Sequence, residues 1–261
     1  MKKLFTIYTI VAFILGLAVM FGSIRGLSWI QEPCWGKNVG IVTILGSIDS
    51  VEDAEYYSTV APSIVQQIEE LEANPDIKGL VLDIDSGGGA MESSESIMLA
   101  LKGFSKPSVA VIRNMGASGA YLAATGADRI YASRVSDVGS IGVTNEFLDT
   151  SEQDRQNGIT FYNFASGVHK GLLKEHGTLT QEQIDVIMED IMKSADVFME
   201  YVSLNRGIPL DKVREIATGR SYLGEDALNL KLIDQIGGMP QAGAWLENEI
   251  GEEPSYCYMG E

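Results

Sequence analysis

The sequence predicts an α/β domain built on a mostly parallel sheet. Three observations predict it. Apolar runs rich in β-branched residues recur at residues 39–45 (VGIVTIL), 79–84 (GLVLDI) and 109–112 (VAVI). They are short and continuous, which suits strands buried on both faces rather than amphipathic helices. The second and third each run through a glycine-bearing turn into a segment of helical character. Strand, glycine turn and helix is the repeating unit of parallel sheets, whose ligand sites collect at the carboxyl ends of the strands.

In chain order, residues 1–25 are expected to be an N-terminal membrane anchor. Lys2 and Lys3 open the chain, and residues 4–24 carry no charged side chain. At about 1.5 Å per helical residue this run reaches roughly 30 Å, the thickness of the hydrocarbon core. The two lysines favour a cytoplasmic N-terminus. A cleaved signal peptide is the alternative. No A-x-A-like site lies between Ile24 and Trp29, so an uncleaved single-pass anchor is preferred. Either way the bulk of the chain is expected at a cell membrane, on its extracytoplasmic side. Residues 26–38 read as a linker, 39–250 as the folded domain and 251–261 as a flexible C-terminal tail.

Within the domain, Ile64, Ile68 and Leu71 recur at helical spacing in residues 61–73, with Pro62 tolerated in the first turn. Residues 46–55 read as a polar connection, and 85–90 (DSGGGA) as a glycine loop before a helix over 91–103. A small-residue helix is expected over 120–127, then short strands at 129–132 and 138–143. Residues 159–164 (ITFYNF) read as a strand. Thr180 and Gln183 form a capping box for a long helix. Its stripe of Ile184, Ile187, Met188, Ile191, Ala195, Phe198 and Val202 reads as core. Gly207-Ile208-Pro209 ends it. Helices over 210–217, 224–230 and 240–247 and a strand at 232–234 complete the pattern.

Composition narrows the chemistry. The chain has 261 residues and a formal net charge of −17, from 36 acidic and 19 basic residues. Phosphate binding needs a basic footprint, so nucleic acid is not expected as a partner. The two cysteines, Cys34 and Cys257, form no metal-ligand pattern, and neither metal nor cofactor is expected. They could form one disulfide in an oxidising compartment.

The chemistry centres on Gly116-Ala117-Ser118-Gly119-Ala120. A strand, a tight turn and a helix around a serine expose its hydroxyl and aim a helix start at it. Ser118 is the candidate nucleophile. Taken alone, a small residue that lets a helix pack closely explains it equally well. A serine needs a base. Only His169 and His176 are available for a triad. Lys170 lies in an acid-free loop, residues 166–171 (SGVHKG), where burial among neutral groups would lower its pKa. An ordinary solvated lysine is the commoner state. Ser140 could accept a hydrogen bond from Lys170, or be a plain turn serine. The Gly119 N–H and the Gly87-Gly88-Gly89 segment could receive a developing oxyanion. That segment lacks the phosphate-binding pattern G-x-x-x-x-G-K-[ST].

Together these motifs resemble the signal peptide peptidase A family. They are Asp85-Ser86-Gly87-Gly88-Gly89, Gly116-Ala117-Ser118-Gly119-Ala120-Tyr121, Gly139-Ser140-Ile141-Gly142-Val143, Ser166-Gly167-Val168-His169-Lys170 and Gly219-Arg220-Ser221-Tyr222. The likeness runs from about Val39 to Gly238 and is to the shorter, single-repeat form. It implies a ClpP/crotonase-like fold of repeated β-β-α units behind a transmembrane helix. It implies Ser118 as nucleophile, Lys170 as general base, Ser140 as the hydroxyl that holds the lysine, and Gly119 with Gly88 and Gly89 as oxyanion hole. It also implies a homo-oligomeric ring in which Ser and Lys of one site come from neighbouring protomers. The substrates implied are signal peptides or other membrane-proximal peptides. The chain departs from the family pattern at Asp85 and Gly87, where Asn and Pro are usual, and at Ala120, where Gly is common. Two rivals are a crotonase-type acyl-CoA-processing enzyme and a non-catalytic membrane scaffold of the same fold.

Overall fold

The computed structural model describes residues 34–51, 58–162, 164–167, 169, 170 and 178–260. The expected anchor and most of the linker lie outside the described residues. No helix among the described residues is long and apolar enough to cross a membrane.

A sheet of nine strands organises the described residues. Its spine is β1 (Val39–Asp49), β3 (Gly79–Gly89), β4 (Ser108–Ala117) and β5 (Arg129–Ala132), with β2 (Ser58–Val60) and β8 (Gln235–Ile236) at the ends. The order is β2-β1-β3-β4-β5-β8, and every pair in it is parallel. Two further strands, β6 (Asp137–Gly139) and β7 (Ser221–Leu223), form an antiparallel pair docked on the far end of β4 through β6. The last strand, β9 (Tyr256–Tyr258), pairs with the start of β1. The helices are α1 (Ala61–Ala73), α2 (Met91–Gly103), α3 (Gly119–Ala124), α4 (Ser151–Gln156), α5 (Gln181–Arg206), α6 (Leu210–Ile216), α7 (Gly224–Asn229) and α8 (Met239–Ile250).

Alternation along the strands assigns the two faces. Val42, Ile44, Leu80, Leu82, Ile84, Ala110 and Ile112 point to one side. There they meet Ile64 and Ile68 of α1, Ile97 and Leu101 of α2, and Tyr121 and Leu122 of α3. Val39, Ile41, Val81, Val109, Val111 and Tyr131 point to the other, against Ala242 and Leu246 of α8. Each fully buried Val, Leu or Ile among them contributes about 1.5–3 kcal/mol, so this two-sided burial is why the runs are continuous rather than alternating. Further along this second face the strands carry charge instead. Arg113 Nε lies 3.1 Å from Asp83 Oδ1. Burial pushes the Asp83 carboxyl up, the Arg113 guanidinium pulls it partly back, and Asp85 adds to the rise.

Several elements differ from the sequence expectation. The glycine segment 85–89 is the end of β3, not a loop. A register shift between Ile84 and Ser86 lets it pair with Gly116 and then with Ser47 and Ile48. Likewise β1 runs on through residues 46–49 with an irregularity at Gly46. The described residues of 159–164 form no strand, and Ile159, Phe161, Tyr162 and Phe164 are exposed. The capping box at Thr180 is present with both of its bonds. Only Phe198, Met199 and Val202 of that helix are buried, however, so the stripe expected as core leaves Ile184 and Met188 at 38% and 47% exposure. The strand expected at 232–234 falls at Gln235–Ile236 instead.

The stretch expected as an aperiodic tail contains β9, and Cys257 in it is disulfide-bonded to Cys34 with their Cα atoms 5.5 Å apart. The bond closes a separation of 223 residues and ties the linker to the edge of the sheet. A cross-link of this kind contributes about 2–4 kcal/mol. Reduction, or the double change Cys34→Ser with Cys257→Ser, should lower the melting temperature by roughly 5–15 °C for a domain this size. Thermal melts with and without reductant check this, and an unchanged melt would mean that β9 holds its place without the cross-link.

Candidate active site

Strand β4 continues to Ala117 and delivers Ser118 at its carboxyl end, where α3 begins. The turn is tight. Ser118 has φ 52° and ψ −126°, a region that side-chain-bearing residues rarely occupy. Two hydrogen bonds hold it there. The Ser118 N–H donates to the Gly139 carbonyl at 2.7 Å, and the Leu122 N–H donates to the Ser118 carbonyl at 3.0 Å. Gly116, Ala117, Gly119 and Ala120 are all buried, while Ser118 is half-buried. The small neighbours expected from sequence therefore pack the turn into the core, and the hydroxyl does not cap α3.

The end of β3 lies directly against this turn. A Cβ on Gly88 would sit 2.6 Å from the Gly119 nitrogen and 2.9 Å from Ser118 Cβ, and the φ of Gly88 is +99°. Only glycine fits that approach. The Gly88 N–H donates to Ser86 Oγ at 3.1 Å, and the Ser86 hydroxyl donates to the Gly46 carbonyl at 2.6 Å. The Gly88 amide is thus already engaged. Gly119 is the first residue of α3, so its N–H has no acceptor within the helix. The Gly89 nitrogen lies 3.2 Å from where a Gly119 Cβ would be. The backbone of Gly88 and Gly89 thus lies against Gly119, and the three expected oxyanion donors share one corner of the fold. Asp85 does not reach into this space, because its carboxylate accepts from the Met115 N–H at 3.2 Å.

Ser140 follows Gly139 directly and so stands beside Ser118, also at positive φ (50°). Its N–H donates to the Arg220 carbonyl at 3.0 Å and its hydroxyl to the Gly219 carbonyl at 2.9 Å. The structure brings Ser118, Ser140, Gly88, Gly89 and Gly119 together. No hydrogen bond among the described residues joins Lys170 to them. Lys170 is exposed in a turn closed by its own N–H on the Gly167 carbonyl at 3.0 Å. Among the described residues its ammonium bonds neither hydroxyl. His169 is exposed too, and His176 lies outside the described residues. No group of His, Cys, Asp and Glu among the described residues could hold a metal ion. Sequence reasoning missed Ser86 and the Gly139 carbonyl as parts of the site, since neither role has a local signature.

Comparison with known proteins gives a consistent picture. The model of peptidase family S49 matches residues 100–252, a span that holds Ser118, Ser140 and Lys170. A protein of Enterococcus faecium described as a signal peptide peptidase SppA is 29% identical over 214 residues, covering 80% of this chain and 62% of that protein. The chloroplastic serine protease SPPA of Arabidopsis thaliana is 27% identical over 78% of this chain and 31% of its own length. Protease 4 of Haemophilus influenzae is 28% identical over 79% of this chain and 34% of its own. The chain thus spans less than two thirds of each of these relatives. Among solved structures, a point mutant of ClpP1 from Listeria monocytogenes superposes with a TM-score of 0.51 at 12% identity, covering 77% of this chain and 92% of that one. That likeness is one of fold.

The close packing of Gly88 on the serine turn has a direct consequence. Gly88→Ala should slow labelling of Ser118 by a fluorophosphonate at least tenfold, because positive φ and the contacts with residues 118 and 119 forbid a Cβ. Gly87→Ala should label normally, its Cβ meeting only Met115 Sδ at an ordinary 3.5 Å. Equal labelling of the two variants would show that the glycine segment does not shape the site.

Proposed function

This chain belongs to peptidase family S49, and on that footing we propose that it is a membrane-anchored serine endopeptidase. Its substrates are signal peptides or other membrane-proximal peptides. The observation that carries this reading is the Ser118 turn itself: a strained serine at the carboxyl end of a central parallel strand, overlaid by the backbone of Gly88. Strain of this kind persists where the surroundings enforce it and is typical of positions that do chemistry.

In the proposed reaction Ser118 Oγ attacks the scissile carbonyl carbon while neutral Lys170 takes the hydroxyl proton. The resulting oxyanion accepts hydrogen bonds from the Gly119 N–H and, in the Gly88-Gly89 segment, from the Gly89 N–H, the Gly88 amide being bonded to Ser86. Collapse expels the amine, which carries away the proton held by Lys170. Water, deprotonated by the same lysine, then hydrolyses the acyl-enzyme. The Ser140 hydroxyl donates to Gly219 and keeps its lone pairs for the lysine.

Lys170 reaches this site from a neighbouring copy in a homo-oligomeric ring. Its exposure in the single chain supports that arrangement. So do Phe161 and Phe164 in the same stretch, 54% and 92% exposed, and Ile184 and Met188 of α5, 38% and 47% exposed. The anchor is residues 4–24, with the domain on the extracytoplasmic side. The charge-free run and a disulfide suited to an oxidising compartment support this placement.

Two variants test the reading together. Ser118→Ala and Lys170→Ala should each lose at least a thousandfold in peptide hydrolysis. Co-assembled in equal amounts, they should regain activity at about a quarter of the sites, those where an intact serine meets an intact lysine from the next protomer. Full activity in Lys170→Ala would end the dyad. Dead single variants with no recovery on mixing would place serine and lysine of one site in one chain.

A further inference from the structure

We propose that Arg220 is a specificity-determining residue that binds a substrate carboxylate beside the scissile bond. The inference rests on the peptidase reading above and deepens it by naming a chemical feature of the substrate. Its position comes from two backbone hydrogen bonds. The Ser140 N–H donates to the Arg220 carbonyl at 3.0 Å, and the Ser118 N–H donates to the carbonyl of Gly139, the residue before Ser140, at 2.7 Å. Arg220 therefore continues the β6–β7 pairing to the rim of the nucleophile turn.

The side chain is exposed yet held. Its guanidinium lies 4.8 Å from the centroid of the Tyr222 ring. That ring is itself fixed, half-buried, by its hydroxyl donating to the Ile216 carbonyl at 2.9 Å. Arg220 Nε donates to the Ser221 carbonyl at 3.4 Å. The two terminal amino groups remain, a planar fork of the shape that binds a carboxylate through paired hydrogen bonds.

No carboxylate among the described residues takes up that fork. Arg113, Arg134, Arg155, Arg206 and Arg214 each pair with an acid. Arg220, like Arg129, has no such pair among the described residues, in a chain of net charge −17, and of these two Arg220 is the one beside the serine turn. The acids nearest in β6 and α7 are engaged elsewhere: Asp137 accepts from the Ser221 hydroxyl at 3.0 Å, and Glu225 faces Arg134 at 3.4 Å. A cation held rigidly at the rim of an acyl-transfer site, with its donors unspent, suits an anionic group on the substrate. That carboxylate is either an acidic side chain flanking the cleaved bond or the carboxyl terminus of a short peptide.

The test uses the full-length protein in detergent micelles and matched fluorogenic peptides. One pair differs only in a free or amidated C-terminus, the other only in Glu or Gln beside the scissile bond. The wild type should favour the carboxylate member of one pair by about tenfold in kcat/KM, the scale of one partly exposed charge-assisted hydrogen bond. The preference should reside mainly in KM and shrink as salt rises. The pair that responds identifies the source of the carboxylate. Arg220→Gln should bring the ratio to about one, and Arg220→Lys should restore part of it. Arg134→Gln, the control, should keep the wild-type ratio. A ratio near one in the wild type, or a ratio that survives in Arg220→Gln, overturns the inference and leaves Arg220 a brace for Tyr222. No turnover of any peptide by the wild type would instead defeat the peptidase reading, and this inference with it.

Discussion

The hydrogen bond from the Ser118 N–H to the Gly139 carbonyl holds the site together. A serine at φ 52° and ψ −126° does not keep that conformation unaided. The bond pins the turn between β4 and α3 to the end of β6, and one residue later the chain places Ser140. Since β6 pairs with β7, the same bond sets the distance from Ser118 to Gly219 and Arg220. Three sequence-distant motifs thus become one rim through backbone pairing.

The opposite wall is set by glycine. The end of β3 approaches so closely that residue 88 can carry no side chain, and Ser86 holds the bend by bridging to Gly46 in β1. Position 87, where the family usually has proline, is held without one. The register shift after Ile84 and the Ser86 bridge do the shaping there. The extra acid at position 85 is likewise absorbed, because its carboxylate accepts from the backbone of β4.

Away from the site the fold divides into a tightly packed half and an open one. Strands β1, β3 and β4 are covered on both faces at their amino ends. The first half of α5 and the stretch that bears Lys170 expose large apolar side chains, among them Ile184, Met188 and Phe164. Burial also explains where the sequence reading erred. Helix periodicity correctly located α5 and its capping box. It could not say which half of the stripe has a partner, because Ile184 and Phe198 look alike in sequence and differ only in what packs against them. The run ITFYNF has strand composition, yet a strand exists only where a neighbour supplies hydrogen bonds.

Local rules were enough to read the parallel α/β class, the positions of α1, α2 and α5, the serine turn and the glycine segment facing it. Those rules are apolar period, capping, and the small residues that a tight turn demands. Other features arise only when distant segments meet. Residues 85–89 become strand rather than loop, and Cys34 finds Cys257. The Gly88 amide is spent on Ser86, and Arg220 stands at the rim with no carboxylate partner among the described residues. Each of these depends on backbone register between segments far apart in the chain, and register is a property of strand pairs that no single stretch of sequence contains.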